Sequence, residues 1–205
     1  MANPAKAASM ALRDRRNWIF DMDGTLTIAM HDFQRIKQQL GLPSYKPILE
    51  ALDEMPATLS KPIHDKLDLI ELEIAANARC MPGALSLLSK LSAQGKNVGI
   101  LTRNTKPAAE ATLQACHMST YFPSTYVLSR HCAAPKPSPH GLNILMDLWG
   151  ATPEDTVMIG DFKFDLEAGR NAGVHTVHID VTRTFAFPDI TDTRISSLDE
   201  LTAIL

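Results

Sequence analysis

Short apolar segments alternate with amphipathic segments along most of the chain after residue 82, and this alternation restricts the possible folds strongly. The apolar segments resemble buried strands, whereas the segments between them repeat apolar residues every three or four positions, as helices do. Parallel strands need crossover connections, which helices usually provide. The sequence therefore predicts an α/β fold with a mostly parallel sheet between helices on both faces. The predicted strands are residues 18–21, 97–102, 125–129, 156–159 and 174–179.

Residues 28–81, here called the insert, interrupt this pattern with helical segments and no predicted strand. The sequence predicts that residues 1–27 and 82–205 form the core and that the insert is a small helical unit. Its clearest helix has Ser60 as a candidate cap and Pro62 in its first turn. The predicted helices of the insert are residues 30–40, 48–55 and 61–78.

Composition argues against several kinds of partner and location. The net charge of −3 gives no basic surface for nucleic acid, and no apolar stretch approaches the roughly 18 residues of a membrane span. The basic residues near the N-terminus precede no continuous apolar segment, so we expect a short helix or frayed end there and no secretory signal. Three separate cysteines without a CxxC pair argue against a disulfide framework or structural zinc. We expect a cytoplasmic protein that is a monomer or a homodimer.

Two carboxylates follow the first apolar segment at Asp21 and Asp23, and Gly24 comes directly after them. At this spacing both acids share one small space, whether the chain stays extended or turns. Two like charges in one site need a cation or a raised pKa to coexist, which favours a metal site or an acid/base pair. The structural alternative is that the acids cap a turn in which Gly24 supplies a positive φ.

Polar residues also follow three other predicted strands. Thr102 ends the second, Lys136 lies in a proline-rich loop after the third, and Asp161 and Asp165 follow the fourth. Each has an ordinary explanation as a strand, surface or helix-capping residue. In open α/β sheets, however, ligands bind beyond the carboxyl ends of the strands, where the strand order reverses. The sequence therefore predicts that these side chains converge on one pocket.

The chemistry of the combined set suits phosphoryl transfer. Asp21 can attack phosphorus to form an aspartyl-phosphate, and Asp23 can act as general acid and then general base. Magnesium would bind Asp21, Asp161 and the backbone oxygen of Asp23, because Mg²⁺ prefers hard oxygen ligands. Thr102 and Lys136 would hold the phosphoryl oxygens. A further acid, Asp165, would orient Lys136 or a metal-bound water.

In these motifs the chain resembles the haloacid dehalogenase superfamily, with its four motifs in the expected order. Residues 21–25 (Asp-Met-Asp-Gly-Thr) match the first motif, Thr102 the second, Lys136 the third and residues 160–165 (Gly-Asp-Phe-Lys-Phe-Asp) the fourth. The resemblance implies a Rossmann-like three-layer core and a Mg²⁺-dependent phosphatase with an aspartyl-phosphate intermediate. It also implies that the insert is a mobile type-1 cap. The dehalogenases lack an acid at the position of Asp23, so this acid favours a phosphatase. Phosphoglycolate phosphatase-like members are the most similar.

The second motif departs from the common pattern. Many members follow the hydroxyl residue with an asparagine that contacts phosphate, whereas Arg103 occupies that position here and Asn104 comes next. Either Asn104 makes the phosphate contact or Arg103 contacts another part of the substrate. Gly24, His31, Asp32 and Lys163 are further candidate substrate contacts.

The leading hypothesis is a phosphatase acting on a small phosphorylated metabolite. A phosphomutase would use the same intermediate to return the phosphoryl group, which a cap that excludes water favours. A non-catalytic regulator that binds a phosphorylated ligand is the hypothesis from another class. It has no need for both Asp21 and Asp23.

Overall fold

A single parallel sheet forms the centre of the computed structural model, which describes residues 12–205. Six strands pair in the order β3-β2-β1-β4-β5-β6, and every pairing is parallel. This is the doubly wound Rossmann order, in which the direction of winding reverses between β1 and β4. The predicted α/β fold is thus confirmed. The strands are β1 Asn17–Phe20, β2 Asn97–Leu101, β3 Val127–Leu128, β4 Thr156–Gly160, β5 His175–Ile179 and β6 Thr193–Ile195.

Two strands differ from the sequence-based expectation. The strand predicted over 125–129 contains only the two residues of β3, because a 3₁₀ turn occupies Ser124–Tyr126. The prediction missed β6 entirely. This edge strand reads Thr-Arg-Ile and buries only Ile195 fully, so it lacks the apolar run that identifies a strand.

The insert contains three helices, α1 Phe33–Leu40, α2 Ile48–Asp53 and α3 Ala57–Ala76. α1 starts three residues later than predicted because the Asp32 carboxylate caps it by accepting a hydrogen bond from the amide of Arg35 (3.0 Å). α3 starts four residues earlier than predicted, after Pro56. Ser60 and Pro62 therefore lie inside this helix, so the predicted cap and first-turn proline were wrong.

Helices cover both faces of the sheet, as predicted. The alternation along β1 shows why, since Trp18 and Phe20 point into one apolar cluster and Ile19 into the other. All three side chains are fully buried. The helices of the core are α4 Ala84–Ala93, α5 Lys106–Ala115, α6 His140–Trp149, α7 Lys163–Ala172 and α8 Leu198–Ile204.

The ends of several helices follow their sequence signals. Gly150 and Gly173 end α6 and α7 in the left-handed conformation (φ 61° and 72°). The predicted capping box paired Ser197 with Glu200, and this pairing was wrong. The Glu200 carboxylate instead accepts hydrogen bonds from the amide and hydroxyl of Ser196 (2.9 and 2.7 Å).

The two segments that connect the insert to the core run side by side. The amide of Met81 donates to the oxygen of Leu26, and the amide of Ile28 donates to the oxygen of Arg79 (2.9 Å each). Thr27 and Cys80 form an antiparallel bridge between these bonds. Apolar side chains of the three helices pack into a cluster of their own.

The predicted short helix or frayed end falls mainly in residues 1–11, outside the described residues. Within residues 12–205, none of the helices combines the length and the apolar character that a bilayer crossing needs.

Candidate active site

The chain turns sharply at the end of β1, and this turn places the first two acids. The amide of Asp21 donates to Ile159 on the neighbouring β4 (2.8 Å), while the oxygen of Met22 accepts bonds from the amides of Leu26 and Thr27 (2.9 Å each). Asp21 is left 8% exposed. A side chain at Gly24 would be doubly unfavourable, because its φ is +90° and a Cβ would lie 2.2 Å from the Asp161 carboxylate.

Lys136 crosses from the loop after β3 to the buried acids. Its Nζ lies 2.6 Å from an oxygen of Asp21 and 2.6 Å from an oxygen of Asp165, and the residue is 3% exposed. Burial alone would lower the pKa of Lys136, but the charges of Asp165 and Asp21 outweigh burial and raise the pKa above its usual value. Lys136 is therefore a fixed cation at the carboxyl ends of the strands.

Three carboxylates, of Asp21, Asp161 and Asp165, form an acidic cluster whose oxygens lie within 4.8 Å of one another. Burial and repulsion from Asp21 and Asp165 raise the pKa of Asp161 to about 8. Burial also raises the pKa of Asp165 to about 6, even though Lys136 opposes it. Asp21 has its pKa raised by burial and by Asp23, against the effect of Lys136. Such a crowded set of oxygen donors fits a divalent cation of the Mg²⁺ kind.

The Asp23 carboxylate lies apart from the acidic cluster. It accepts a hydrogen bond from the side-chain amide of Asn104 (2.6 Å), and Nδ1 of His31 lies 3.6 Å from its other oxygen. Thr102, which is 3% exposed, holds the loop that carries Asn104, because its hydroxyl accepts a bond from the amide of that residue (3.1 Å). The side-chain amide of Asn104 is thus already hydrogen-bonded to an acid in this structure. The sequence left open whether Asn104 or Arg103 contacts the phosphate.

Arg103 is engaged with the insert. Its guanidinium donates to both carboxylate oxygens of Glu50 on α2 (2.8 Å each) and to the backbone oxygen of Lys136 (3.1 Å). It also stacks over the ring of Phe164, 4.7 Å from the centroid. The arginine at the unusual position of the second motif therefore joins the core to the insert.

A second arginine makes a similar connection that sequence reasoning missed. Arg130, after β3, donates to both carboxylate oxygens of Glu71 (2.8 Å) and to Asp68, both on α3. Burial raises the pKa of Glu71, although Arg130 opposes the shift. No local pattern marks these residues, since the partners lie about 60 positions apart along the chain. Only the packing of the insert on the core brings them together.

Three other candidate substrate contacts, His31, Asp32 and Lys163, lie in different surroundings. His31 is nearly buried and stacks on Phe33 with ring centroids 5.5 Å apart. Neither ring nitrogen of His31 has a hydrogen-bond partner among the described residues. Asp32 caps α1 and is absent from the lining of the cavity described next. Lys163 begins α7 at an exposed position against the ring of Phe164.

A cavity of about 610 Å³, called the chamber, lies between the acids and the insert. The six candidate catalytic and metal-binding residues of the four motifs all line it, as do four of the six candidate substrate contacts. The insert supplies mostly apolar side chains to the opposite wall. These residues of the lining are Asp21, Asp23, Thr102, Lys136, Asp161, Asp165, His31, Arg103, Asn104 and Lys163.

This chain belongs to the haloacid dehalogenase-like hydrolase family, whose sequence pattern matches residues 18–179. The family assignment confirms the resemblance drawn from the four motifs and makes the protein a hydrolase by family.

The relatives cover most of the chain at modest identity. An uncharacterized hydrolase of Saccharomyces cerevisiae, YOR131C, is 26% identical over 194 residues, which cover 91% of this chain and 89% of the yeast protein. Pyrophosphatase PpaX of Bacillus cereus is 26% identical over 186 residues, covering 80% of this chain and 82% of its own.

Solved structures share the fold. A predicted phosphoglycolate phosphatase from Haemophilus somnus superposes with a TM-score of 0.71 at 20% identity, covering 93% of this chain and 98% of its own. CbbY from Rhodobacter sphaeroides, solved in complex with phosphate, gives a TM-score of 0.70 at 20% identity and covers 91% and 96%. CbbY has also been solved with xylulose-(1,5)bisphosphate.

Proposed function

We propose that this protein is a Mg²⁺-dependent phosphatase that hydrolyses a small phosphorylated metabolite through an aspartyl-phosphate on Asp21. The observation that carries the proposal is the convergence of two separate acidic groups and one buried lysine on a single chamber. Lys136 bridges Asp21 and Asp165 at 2.6 Å, while Asp23 stands apart, bonded to Asn104. A site that only bound phosphate would have no use for so many negative charges.

Asp21 is the proposed nucleophile. One of its oxygens attacks phosphorus, and the bond from phosphorus to the ester oxygen breaks. Asp23 gives a proton to the departing oxygen and then takes one from the water that attacks the phosphoenzyme. This second attack breaks the bond between Asp21 and phosphorus and releases inorganic phosphate. The 2.6 Å bond from Asn104 orients the Asp23 carboxylate, which supports this role.

Lys136 and Thr102 are proposed to bind the phosphoryl oxygens. A fixed cation that is already in place stabilises the transition state without reorganisation during the reaction. Asp165 holds Lys136 by the 2.6 Å contact and is itself fixed by the amide of Phe162 (3.1 Å).

The acidic cluster is proposed to hold Mg²⁺, mainly through Asp21 and Asp161 with the backbone oxygen of Asp23. When bound, the ion would neutralise charge on the phosphoryl group and on the acids. The raised pKa values of Asp161 and Asp165 support this proposal, since they reflect buried acids that lack sufficient positive charge.

Several similarities support a phosphate ester as the substrate. PpaX is named as a pyrophosphatase, and CbbY has been solved with phosphate and with a sugar bisphosphate. These proteins make phosphorylated substrates the first class to test.

We further propose that residues 28–81 act as a cap on a core made of residues 1–27 and 82–205. The separate apolar cluster of the three insert helices supports this division. So do the adjacent connecting segments at Thr27 and Cys80. The ion pairs from Arg103 and Arg130 would hold the cap over the chamber.

Phosphate release tests the function. Wild type, Asp21→Asn and Asp147→Asn are assayed on p-nitrophenyl phosphate and small phosphomonoesters, with Mg²⁺ and with chelator. Asp147 lies on α6, exposed and away from the chamber, so its variant controls for loss of an acid. We expect activity that requires Mg²⁺ and disappears only in Asp21→Asn. Turnover by Asp21→Asn at the wild-type rate would refute the proposed nucleophile. A phosphoenzyme that passes its phosphate to an added alcohol and not to water would indicate a mutase.

A further inference from the structure

The wall of the chamber opposite the acids is apolar and partly aromatic. The insert contributes aliphatic side chains from α1, α2 and α3, and both units contribute rings. In the proposed function the phosphate binds at the acid end, so this wall would face the remainder of the substrate. The side chains that matter here are Ile36, Ile48, Leu49, Leu67, Phe33 and Phe164.

Several rings that line the chamber are exposed, two from the insert and one from the loop after β4. Phe33 is 57% exposed, Tyr45 is 84% exposed and Phe162 is 48% exposed. Exposed apolar groups that gather around one cavity mark a surface that a ligand covers. Their rings offer flat faces against which another ring packs well.

The cations of the chamber are almost all engaged by protein groups. Lys136 contacts Asp21 and Asp165, Arg103 contacts Glu50, and Lys37 donates to the backbone oxygen of Ser44 (2.8 Å). An anion pressed against the apolar wall would lose its water and gain no partner, which is costly. The exceptions are Lys163 and His31. Lys163 lies at the exposed start of α7, 5.6 Å from the ring of Phe164. The ring nitrogens of His31 have no hydrogen-bond partner among the described residues, but Nδ1 lies 3.6 Å from the Asp23 carboxylate.

The volume of the chamber also exceeds what the smallest metabolites need. Its volume of about 610 Å³ falls within the range of roughly 300 to 1,000 Å³ that is usual for pockets that bind molecules of several rings. A two-carbon phosphoester would leave the apolar wall in contact with water.

We infer that the substrate is a phosphomonoester whose remaining part is uncharged, largely apolar and of aromatic-ring size. This inference rests on the proposed function and narrows it. It sets the protein apart from enzymes that recognise a second anion, such as a carboxylate or another phosphate, beside the phosphate that is removed.

The test compares substrates that differ only in the distant part. Wild type is assayed with Mg²⁺ on ethyl phosphate, 2-phenylethyl phosphate, 2-(4-carboxyphenyl)ethyl phosphate and phosphoglycolate. Two methylene groups insulate the ester from the ring, so the two aromatic esters have closely matched leaving groups. We expect kcat/KM for 2-phenylethyl phosphate to exceed that of ethyl phosphate by at least about tenfold, because even one methylene group in an apolar pocket is worth about tenfold or more. We expect its carboxylated analogue and phosphoglycolate to fall at least tenfold below it.

Variants locate the effect in the chamber. Phe33→Ala should lower the preference for 2-phenylethyl phosphate over ethyl phosphate several-fold, mainly through KM. Leu148→Ala is the control, because Leu148 is 53% exposed on α6, outside the chamber, and should leave the preference unchanged.

Two results would overturn the inference while the proposed function stands. One is equal kcat/KM for ethyl and 2-phenylethyl phosphate. The other is a higher kcat/KM for the carboxylated ester or phosphoglycolate than for 2-phenylethyl phosphate. If Lys163→Gln then lost this preference, Lys163 would be the residue that binds the second anion. If the protein hydrolyses neither these esters nor p-nitrophenyl phosphate, the proposed function is refuted, and the inference with it.

Discussion

The two walls of the chamber are built in different ways. The core wall carries charged side chains at the ends of parallel strands, and several of them are held by short bonds to another protein group, as between Lys136 and Asp21. The wall from the insert carries mostly apolar side chains from its helices and from the turn between α1 and α2, and some of them are exposed, as with Phe33 and Tyr45. The difference fits our proposals that the core wall performs the reaction and that the wall from the insert selects the substrate.

The largest expected effect belongs to the core wall. Asp23→Asn should lower kcat roughly 100- to 10,000-fold, because it removes the proposed general acid and base. A substrate with an activated leaving group such as p-nitrophenol needs less proton donation, so we expect a smaller loss on p-nitrophenyl phosphate than on an alkyl phosphate. Steady-state assays with both esters measure the difference. An equal loss on both would argue against proton donation by Asp23.

The acidic cluster should make stability depend on pH and on metal. Because the pKa values of Asp161 (about 8) and Asp165 (about 6) are raised in the folded state, the folded protein without metal binds more protons than the unfolded chain between about pH 4 and pH 8. Its free energy of unfolding should therefore fall as pH rises through this range. Mg²⁺ should raise Tm, and more at pH 8 than at pH 5.

Melting curves with Mg²⁺ and with chelator at each pH test this expectation. His175 has a pKa lowered to about 4, mainly by burial and also by the nearby Arg15, and contributes stability that is lost as pH falls below about 6.5. Since His175 lies on β5 and acts in both conditions, it cancels in the difference between the two curves. Asp161→Asn should remove most of the difference. A Mg²⁺ effect on Tm that is unchanged in this variant would place the metal elsewhere.

Asn104→Ala is expected to lower kcat about 10- to 100-fold with little change in KM. The 2.6 Å bond from Asn104 orients Asp23, and the loss of a group that orients a functional side chain has effects of about this size. Thr105→Ser is a matched control, because it changes the neighbouring residue but keeps the hydroxyl that caps α5. A large rise in KM instead would indicate that Asn104 contacts the phosphate directly.

The smallest effect is expected where the two walls meet. Glu50→Gln weakens the ion pair with Arg103, which is partly exposed and therefore worth about 1 kcal/mol or less. We expect a change of only a few-fold in KM and almost none in Tm. Asp65→Asn removes an exposed ion pair within α3 and serves as the control. A loss of kcat as large as that of Asn104→Ala would mean that Arg103 takes part in the reaction through Lys136.

The same contrast explains what could be predicted from sequence. Asp21, Thr102 and Asp161 follow apolar strands, and parallel topology brings the ends of such strands together. The sequence therefore indicates their proximity without any knowledge of packing. The length of α3 was harder to predict, because Pro62 signals a helix start, yet the packing of the insert favours continuing the helix past it. The edge strand β6 could not be predicted, because its one buried residue, Ile195, does not make an apolar pattern that identifies a strand.

The contacts between the two walls could not be predicted at all. Arg130 and Glu71 look like ordinary surface residues in the sequence, and only burial against each other makes them a pair. Arg103 was recognised as unusual, but its partner Glu50 was not, since it lies 53 positions away. Long-range ion pairs of this kind depend on the docking of helices whose local patterns allow many orientations.

The side-by-side connections at Thr27 and Cys80 have a consequence for how such a chain can change over evolutionary time. Because the backbone leaves the core and returns to it at neighbouring, hydrogen-bonded positions, a short hairpin turn could join them with β1 and its acids left in register. Substitution, enlargement or deletion of residues 28–79 therefore keeps β1 and the turn after it in place, although it changes the contacts that His31 and Glu50 make with Asp23 and Arg103. Selectivity can then diversify by exchange of a whole module, while the chemistry is inherited unchanged.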